Sequence, residues 1–154
     1  MKIAIAADHA GFPLKEALKV KLQAEGHEVA DCGAFSSEST DYPDYAQAVA
    51  KKVVAEEAAR GILVCSTGIG MSIAANKVDG VRAALAGNRD AARLTREHNN
   101  ANVIALGALF LSEEEAGRIV ETFLSTDFSD GPRHSRRIEK IAAIERTQYQ
   151  EHAT

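Results

Sequence analysis

Short apolar runs alternate along this chain with longer segments whose apolar residues recur at helical spacing. The apolar runs predict β-strands at residues 2–7, 27–32, 62–65, 81–86 and 102–106. The segments between and after them predict helices at residues 12–24, 43–58, 71–76, 88–97, 112–124 and 134–150. This alternation predicts an α/β fold with a doubly wound, Rossmann-like parallel sheet covered by helices on both faces. Five strands favour the flavodoxin-like order 2-1-3-4-5.

The chain length favours a single domain at residues 1–150. A chain of 154 residues can build one proper hydrophobic core and is too short for two. The last helix follows a Gly-Pro loop and carries Ile138, Ile141 and Ile144, so it must bury one face. That face can pack either on the chain's own sheet or on a second subunit.

Composition indicates a cytoplasmic globular protein. The net charge of −4 provides no basic field for nucleic acid, although local arginines can still bind a small anion. No apolar run reaches the length of a membrane span, and the N-terminal residues lack the pattern of a signal peptide. Cys32 and Cys65 are too few for a disulfide framework, so we expect reduced thiols. The histidines lack the spacing of metal ligands, so we expect no metal.

The most informative segment is CSTGIGMSIAANK, at residues 65–77. It places Cys65 at the end of a buried strand and just before a helix, beside Gly68 and Gly70. A thiol near a helix N-terminus ionises more readily, and only the thiolate is an effective base or nucleophile. The glycines allow backbone N–H groups to face an anion. The competing interpretation is a buried, inert cysteine in a tight turn, which is how we interpret Cys32.

The residues of this segment argue against several familiar ligand-binding loops. A dinucleotide fingerprint requires a third glycine where Ile73 stands, and the Walker lysine-serine pair is missing. A cysteine phosphatase loop would have an arginine at the position of Met71. A cradle for a small anion remains, with a simple strand-to-helix turn as the structural alternative.

A second segment is expected to reach the same crevice. In the predicted order the first and third strands are neighbours, and ligands of such sheets bind at their carboxyl ends. Asp8 and His9 follow the first strand, while Ser66 and Thr67 follow Cys65 on the third. The two segments therefore deliver polar and reactive groups to one crevice.

His98 and Asn99 lie just before the fifth strand, at the opposite edge of the sheet. A five-residue strand spans about 17 Å, so His98 cannot readily reach its own Cys65. It either ends a helix without a catalytic role or serves the crevice of another subunit.

Three further residues have both a structural and a functional interpretation. Arg133 and Arg137 are four residues apart and share a helix face, which suits a phosphate clamp or a solvated basic turn. Tyr42 lies where the second helix begins and could line the crevice mouth.

Five motifs in this order resemble the ribose-5-phosphate isomerase B family, which also contains the galactose-6-phosphate isomerase subunits. They are ADHAGFPLK at residues 7–15, DYP at 41–43, CSTGIGMSIAANK at 65–77, REHNNANVIALG at 96–107 and GPRHSRR at 131–137. The resemblance covers nearly the whole chain. It implies interconversion of an aldose and a ketose of a phosphorylated pentose, ribose 5-phosphate and ribulose 5-phosphate, without a metal or other cofactor. It also implies a homodimer or homotetramer with shared active sites, in which helix 133–150 packs on a partner.

The resemblance assigns a role to each matching residue. Cys65 would be the base that moves a proton between C2 and C1, and ring opening would involve Asp8, Thr67 and His98. The backbone N–H groups of Gly68 and Gly70 would stabilise the enediolate. The phosphate would be held by His9, Arg133 and Arg137. The remaining substrate-binding positions would be Tyr42, Ser66, Ser72, Asn76 and Asn99.

One position departs from the family pattern. Many members have an arginine of the phosphate site two residues after the glycine that ends the fifth strand, whereas this chain has Leu109 after Gly107 and Ala108. The substrate could therefore be a six-carbon sugar phosphate, or the chain could be a sugar-phosphate binding module without activity.

Overall fold

A computed structural model describes the backbone of residues 1–152 and the side chains of residues 1–148. Within that range the strands are β1 (Lys2–Ala7), β2 (Glu28–Asp31), β3 (Arg60–Cys65), β4 (Ala83–Leu85) and β5 (Val103–Gly107). The helices are α1 (Phe12–Ala24), α2 (Tyr42–Val54), α3 (Ile69–Ala75), α4 (Arg89–Asn99), α5 (Glu113–Ser125) and α6 (Pro132–His152). The predicted alternation of strand and helix is confirmed.

The strands form one parallel sheet, which confirms the predicted α/β class, but its order is β2-β1-β3-β5-β4. The flavodoxin-like order 2-1-3-4-5 is therefore wrong for the last two strands. Every residue of β5 is buried, whereas the three residues of β4 are partly or fully exposed. A strand buried on both faces belongs inside a sheet, and a short exposed strand belongs at its edge. The sheet therefore places β5 beside β3.

Local signals set several element ends. Pro13 stands in the first turn of α1, where a missing N–H costs nothing. Ser112 accepts a hydrogen bond from the Glu115 N–H while the Glu115 carboxylate accepts from the Ser112 N–H, which forms a capping box for α5. Asn88 caps α4 by accepting from the Ala91 N–H.

The core lies on both faces of the sheet. One face packs α1, α4 and α5 against side chains that include Ile3, Ile62 and Ile104. The other packs α2 and α3 against a cluster that contains Leu63, Cys65 and Met71. Successive residues of a strand point to opposite faces, so this alternation sends the Cys65 side chain toward α2 and α3.

Helix α6 lies at the margin of the molecule. It contacts α4, and the Glu145 carboxylate accepts hydrogen bonds from the Gly80 N–H at 3.2 Å. Ile141 and Ile144 stay largely exposed, so the amphipathic face is only partly covered within this chain. Among the helices of residues 1–152, none combines the length and the apolar character needed to cross a membrane.

Candidate active site

The ends of β1 and β3 bring the two predicted segments together. Ala7 pairs with Val64 in the parallel register. Asp8 directly follows Ala7 and Cys65 directly follows Val64, so both residues lie at the carboxyl edge of the sheet. The Asp8 N–H donates to the Val64 carbonyl at 3.2 Å and continues the pairing past the last strand residue. The structure therefore places Asp8 and Cys65 at the same edge, on the two strands the sequence analysis predicted to be neighbours.

Cys65 ends β3 at the carboxyl edge of the sheet, with only 5% of its surface exposed. Its Sγ accepts a hydrogen bond from the Gly68 N–H at 3.1 Å. The Cys32 Sγ instead faces an acceptor, the Ala30 carbonyl at 3.8 Å, and burial raises the pKa of the Cys32 thiol. The two thiols thus lie in chemically distinct surroundings.

The loop after Cys65 depends on glycine at two positions. Gly68 has a φ of 77°, and a Cβ there would lie 2.6 Å from Leu85 Cδ1. Gly70 lies beneath the ring of Tyr42, where a Cβ would approach the Cζ atom to 2.6 Å. Tyr42 therefore packs directly on the glycine loop, and its role at the mouth of a substrate crevice stays a prediction.

Asp8 and His9 are held by backbone donors. The buried Asp8 carboxylate accepts from the Gly11 N–H at 3.0 Å, which fixes the turn into α1. His9 Nδ1 accepts from the Thr40 N–H at 3.2 Å. A neutral His9 ring with an accepting Nδ1 carries its proton on Nε2, so Nε2 is the nitrogen available as a donor.

The remaining carboxyl-edge residues border the loop. Ser66 is exposed, and its carbonyl accepts from the Leu109 N–H at 2.9 Å. Leu109 itself is 70% exposed next to this loop, at the position where the family pattern has arginine. Thr67 Oγ1 accepts from the Ile69 N–H at 3.3 Å, and Ser72 is half-buried in α3.

Asn76 has a structural task that the sequence analysis did not foresee. Its Nδ2 donates to the carbonyls of Ser72 and Ala83 at 2.9 Å, and its Oδ1 accepts from the Ala83 N–H at 2.8 Å. These bonds attach the end of α3 to edge strand β4. The amide is therefore occupied by backbone partners, and its role in substrate binding remains a prediction.

The other predicted residues form a second group at the opposite edge of the sheet. His98 and Asn99 end α4, and Arg133 and Arg137 lie exposed near the start of α6. The His98 ring stacks on the His134 ring with centroids 4.3 Å apart and planes 12° from parallel. A single chain therefore separates the predicted site into a carboxyl-edge group and an amino-edge group.

A groove of about 500 Å³ lies between α6 and β4, on the α4 side of the molecule. Its walls include Asn76, Asn99 and Arg82 together with Ile141 and Ile144. Cys65 does not line this groove, although two predicted substrate-binding residues, Asn76 and Asn99, do. Among the residues whose side chains are described, no cluster of three or more histidine, cysteine or carboxylate ligands is suited to a metal ion.

Two residues within the recognised motifs were given no role by sequence reasoning. Lys15 is fully buried and pairs with Asp31, and His134 stacks on His98. A lysine beside Leu14 and Leu18 on the apolar side of a helix was the available signal for Lys15. His134 had no signal, since its stacking partner, His98, lies far away along the chain.

Comparison with known proteins agrees with the motifs. A family model described as Ribose/Galactose Isomerase matches residues 3–141. Escherichia coli ribose-5-phosphate isomerase B is 46% identical over 144 residues, which are 94% of this chain and 96% of the relative.

Solved structures agree as well. Clostridium thermocellum ribose-5-phosphate isomerase B has a TM-score of 0.94 at 47% identity, covering 96% of this chain and 99% of that one. The Mycoplasma genitalium enzyme of the same name, with bound ribulose-5-phosphate, has a TM-score of 0.89 at 43% identity, covering 94% and 96%. The match spans most of both partners in each comparison and confirms the resemblance carried by the motifs. This chain therefore belongs to the Ribose/Galactose Isomerase family.

Proposed function

We propose that this chain is an aldose–ketose isomerase that interconverts ribose 5-phosphate and ribulose 5-phosphate, with Cys65 as the base. Family membership and relatives named ribose-5-phosphate isomerase B support the reaction. The observation that carries the role of Cys65 is the 3.1 Å hydrogen bond from the Gly68 N–H to its Sγ at the carboxyl edge of the sheet.

The reaction needs one base and a stabilised oxyanion. The Cys65 thiolate removes the proton from C2 of the open-chain aldose, and the electron pair forms the C1–C2 double bond of an enediolate. The same proton is returned to C1 while the C2 hydroxyl loses its proton to O1, so that the ketose is formed. General base catalysis contributes about 10²–10⁴-fold. The Gly70 N–H lies in the first turn of α3, where no carbonyl within the helix accepts it, and is the donor for the enediolate oxygen.

The carboxyl-edge group also binds the phosphate and the furanose ring of the substrate. His9 presents Nε2–H to the phosphate, and Tyr42 covers the glycine loop. Asp8 and Thr67 assist opening of the furanose ring near the crevice floor.

The amino-edge group completes the site of a second subunit. His98, Arg133 and Arg137 lie at the far edge of their own sheet, so they serve the crevice of a partner in a homodimer. The exposed apolar side chains beside the glycine loop support such an interface, and they include Ile69, Leu109 and Phe110.

The two cysteines provide a matched test of the base. We expect Cys65→Ala to lower kcat/KM for ribose 5-phosphate by at least about 100-fold, because no other thiolate lies in the crevice. We expect Cys32→Ala, a loss of the same atom from a half-buried position, to retain activity within about threefold. Ribulose 5-phosphate formation and far-UV circular dichroism measure activity and fold. Substantial turnover by a folded Cys65→Ala variant would show that Cys65 is not the base.

A six-carbon sugar phosphate is the second candidate substrate, and Leu109 favours it. An uncharged side chain at this exposed position removes a cation from the family's phosphate site and leaves apolar surface beside Ser66. Relative kcat/KM values on a panel of pentose and hexose phosphates decide between the two. A hexose phosphate turned over faster than ribose 5-phosphate would replace the pentose as substrate. Binding without turnover of any member would identify a binding module.

A further inference from the structure

His134 makes a close ring contact that the proposed reaction does not use. Its imidazole lies face to face with that of His98, 4.3 Å between centroids and 12° from parallel. Offset stacking of flat rings at this distance restricts rotation of both rings about their side-chain torsions. The contact therefore fixes the plane of the His98 imidazole.

Both helices that carry the pair are anchored to each other. Ser129, in the segment before α6, donates from Oγ to the Glu97 carbonyl at 2.6 Å and from its N–H to the same oxygen at 3.3 Å. The His134 N–H donates to the Gly131 carbonyl at 2.9 Å and forms the first turn of α6. The residue before His98 is thus tied to the segment that leads into His134. Backbone contacts as well as the rings hold the pair in register.

The surroundings favour an uncharged His134. Desolvation, followed by the charges of His98, Arg133 and Arg137, lowers the pKa of His134 below its ordinary value. These groups come from α4 and from α6, the two elements that meet at the pair. A neutral ring can stack on His98 without charge repulsion, whatever the protonation state that His98 needs.

We propose that His134 is a positioning residue for His98 and holds its imidazole in the plane required to open the furanose ring of the substrate. This rests on the proposed function, in which His98 serves the crevice of the partner subunit. In ring opening the C1–O4 bond breaks, O4 receives a proton from His98, and the C1 hydroxyl gives its proton to the Asp8 carboxylate as the aldehyde forms. An imidazole rotated out of plane delivers its proton poorly, and a misplacement of about 1 Å can cost about 100-fold.

A substrate without a ring form separates positioning from general damage. The 4-deoxy analogue of ribose 5-phosphate has no O4 and stays open, so its isomerisation bypasses the step assigned to His98. We expect His134→Ala to lower kcat/KM for ribose 5-phosphate by about 10- to 100-fold. We expect the same variant to turn over the 4-deoxy analogue within about threefold of the wild-type rate. His134→Phe keeps a flat ring without a titratable group, and we expect it to restore most of the activity on ribose 5-phosphate.

A double-mutant cycle provides an independent readout. If His134 acts through His98, adding His134→Ala to a His98→Ala background costs nothing further with ribose 5-phosphate. Three results would overturn the proposal: full activity of His134→Ala, an equal loss on both substrates, or a His134→Phe variant as impaired as His134→Ala. A further loss in the double mutant would also overturn it. Failure of the proposed function itself is distinct, because the wild-type protein would then isomerise neither compound.

Discussion

Gly68 shows how one residue connects the core to the candidate chemistry. Its left-handed φ of 77° turns the chain so that its N–H meets Cys65 Sγ, and its α-carbon lies against Leu85 and Leu106. A side chain would oppose both the backbone conformation and the packing. Two other glycines allow the strain of a positive φ to be distinguished from the steric clash of an added side chain. Gly26 also has a positive φ of 86°, but a Cβ there would meet no atom within 4 Å, and Gly87 has open space without a positive φ.

We expect the three Gly→Ala substitutions to lower the free energy of unfolding in the order Gly68, Gly26, Gly87. Gly87→Ala should change it by less than about 0.5 kcal/mol. Gly26→Ala should cost about 1 kcal/mol for the left-handed conformation alone. Gly68→Ala should cost about 2–4 kcal/mol, since the clash adds to the strain. Urea unfolding at fixed protein concentration measures all three. Equal losses at Gly68 and Gly26 would show that the contacts with Leu85 and Leu106 are unimportant.

At the scale of single residues, the sequence was most informative where the interacting partners lie close together along the chain. Cys65 and Gly68 lie three positions apart in one loop, so their proximity follows from the motif, although the Gly68 N–H was expected to face an anion and instead donates to the Cys65 sulfur. Asn76 and His134 depend on partners from other elements, Ala83 and His98. Spacing along the chain carries no information on those contacts.

Helix α1 is attached to β2 and to the loop after it through one buried cation. Lys15 is completely buried, yet its Nζ donates to the Asp31 carboxylate at 2.8 and 3.0 Å and to the Ala34 carbonyl at 2.6 Å. The rings of Phe12 and Phe35 lie 5.3 and 5.2 Å from the same nitrogen. The segment held in this way continues to the residue that hydrogen-bonds His9. Lys15 therefore anchors the start of the loop that leads to the Thr40–His9 hydrogen bond.

Lys19 provides the matched control for Lys15, because the Lys19 Nζ also reaches Asp31 at 2.8 Å but remains partly exposed. We expect Lys15→Met to lower the free energy of unfolding by about 3 kcal/mol, as for a broken buried pair. Lys19→Met should cost about 1 kcal/mol or less. Thermal or urea unfolding at pH 7 compares the two. Equal effects would contradict a special role for the buried cation.

The contribution of the Lys15–Asp31 pair to stability depends on pH with a defined sign. Burial opposes ionisation of Asp31, but hydrogen bonds from Lys15 and Lys19 outweigh it, and the pKa of Asp31 lies below its ordinary value. A carboxylate with a lowered pKa in the folded state stabilises the protein above the unfolded value of about 4. That contribution is lost as the pH falls through the lower, folded-state pKa. Acid unfolding of Lys15→Met should therefore be less steep in this range than that of the wild-type protein.

The order of strands was the main error at the scale of elements. The run at residues 81–86 and the run at 102–106 are both apolar, and they follow each other as the last two strands of the chain. The structure shortens the first to Ala83–Leu85 and leaves it partly exposed, while β5 pairs with β3 through Cys65 and Gly107. Burial on both faces is a property of the assembled sheet, so periodicity could not rank the two strands. The neighbours β1 and β3 were predicted correctly, and they carry the candidate crevice.

Across the whole molecule, the predicted site residues fall at two opposite edges of one sheet. The carboxyl edge holds Cys65 and Asp8, and the amino edge holds the stacked pair of His98 and His134. Sequence reasoning foresaw this separation from the length of β5. Which surfaces of two chains meet is not encoded in any local pattern, so the arrangement of a dimer remains a proposal supported by the exposed apolar side chains near Leu109 and Phe110.

Shared active sites predict rescue between two inactive variants. In a mixed dimer of Cys65→Ala and His98→Ala chains, one crevice combines an intact Cys65 with an intact His98, and the other lacks both. Random exchange in a two-fold symmetric dimer should therefore restore about a quarter of the wild-type specific activity in the mixture, and about half in purified mixed dimers. Two different affinity tags and sequential purification establish that mixed dimers have formed before ribulose 5-phosphate formation is assayed. Mixing Cys65→Ala with the double variant Cys65→Ala/His98→Ala is the matched control, since no crevice then regains the thiolate. If tagged mixed dimers are inactive, Cys65 and His98 do not act together across the interface, and the shared active site is contradicted.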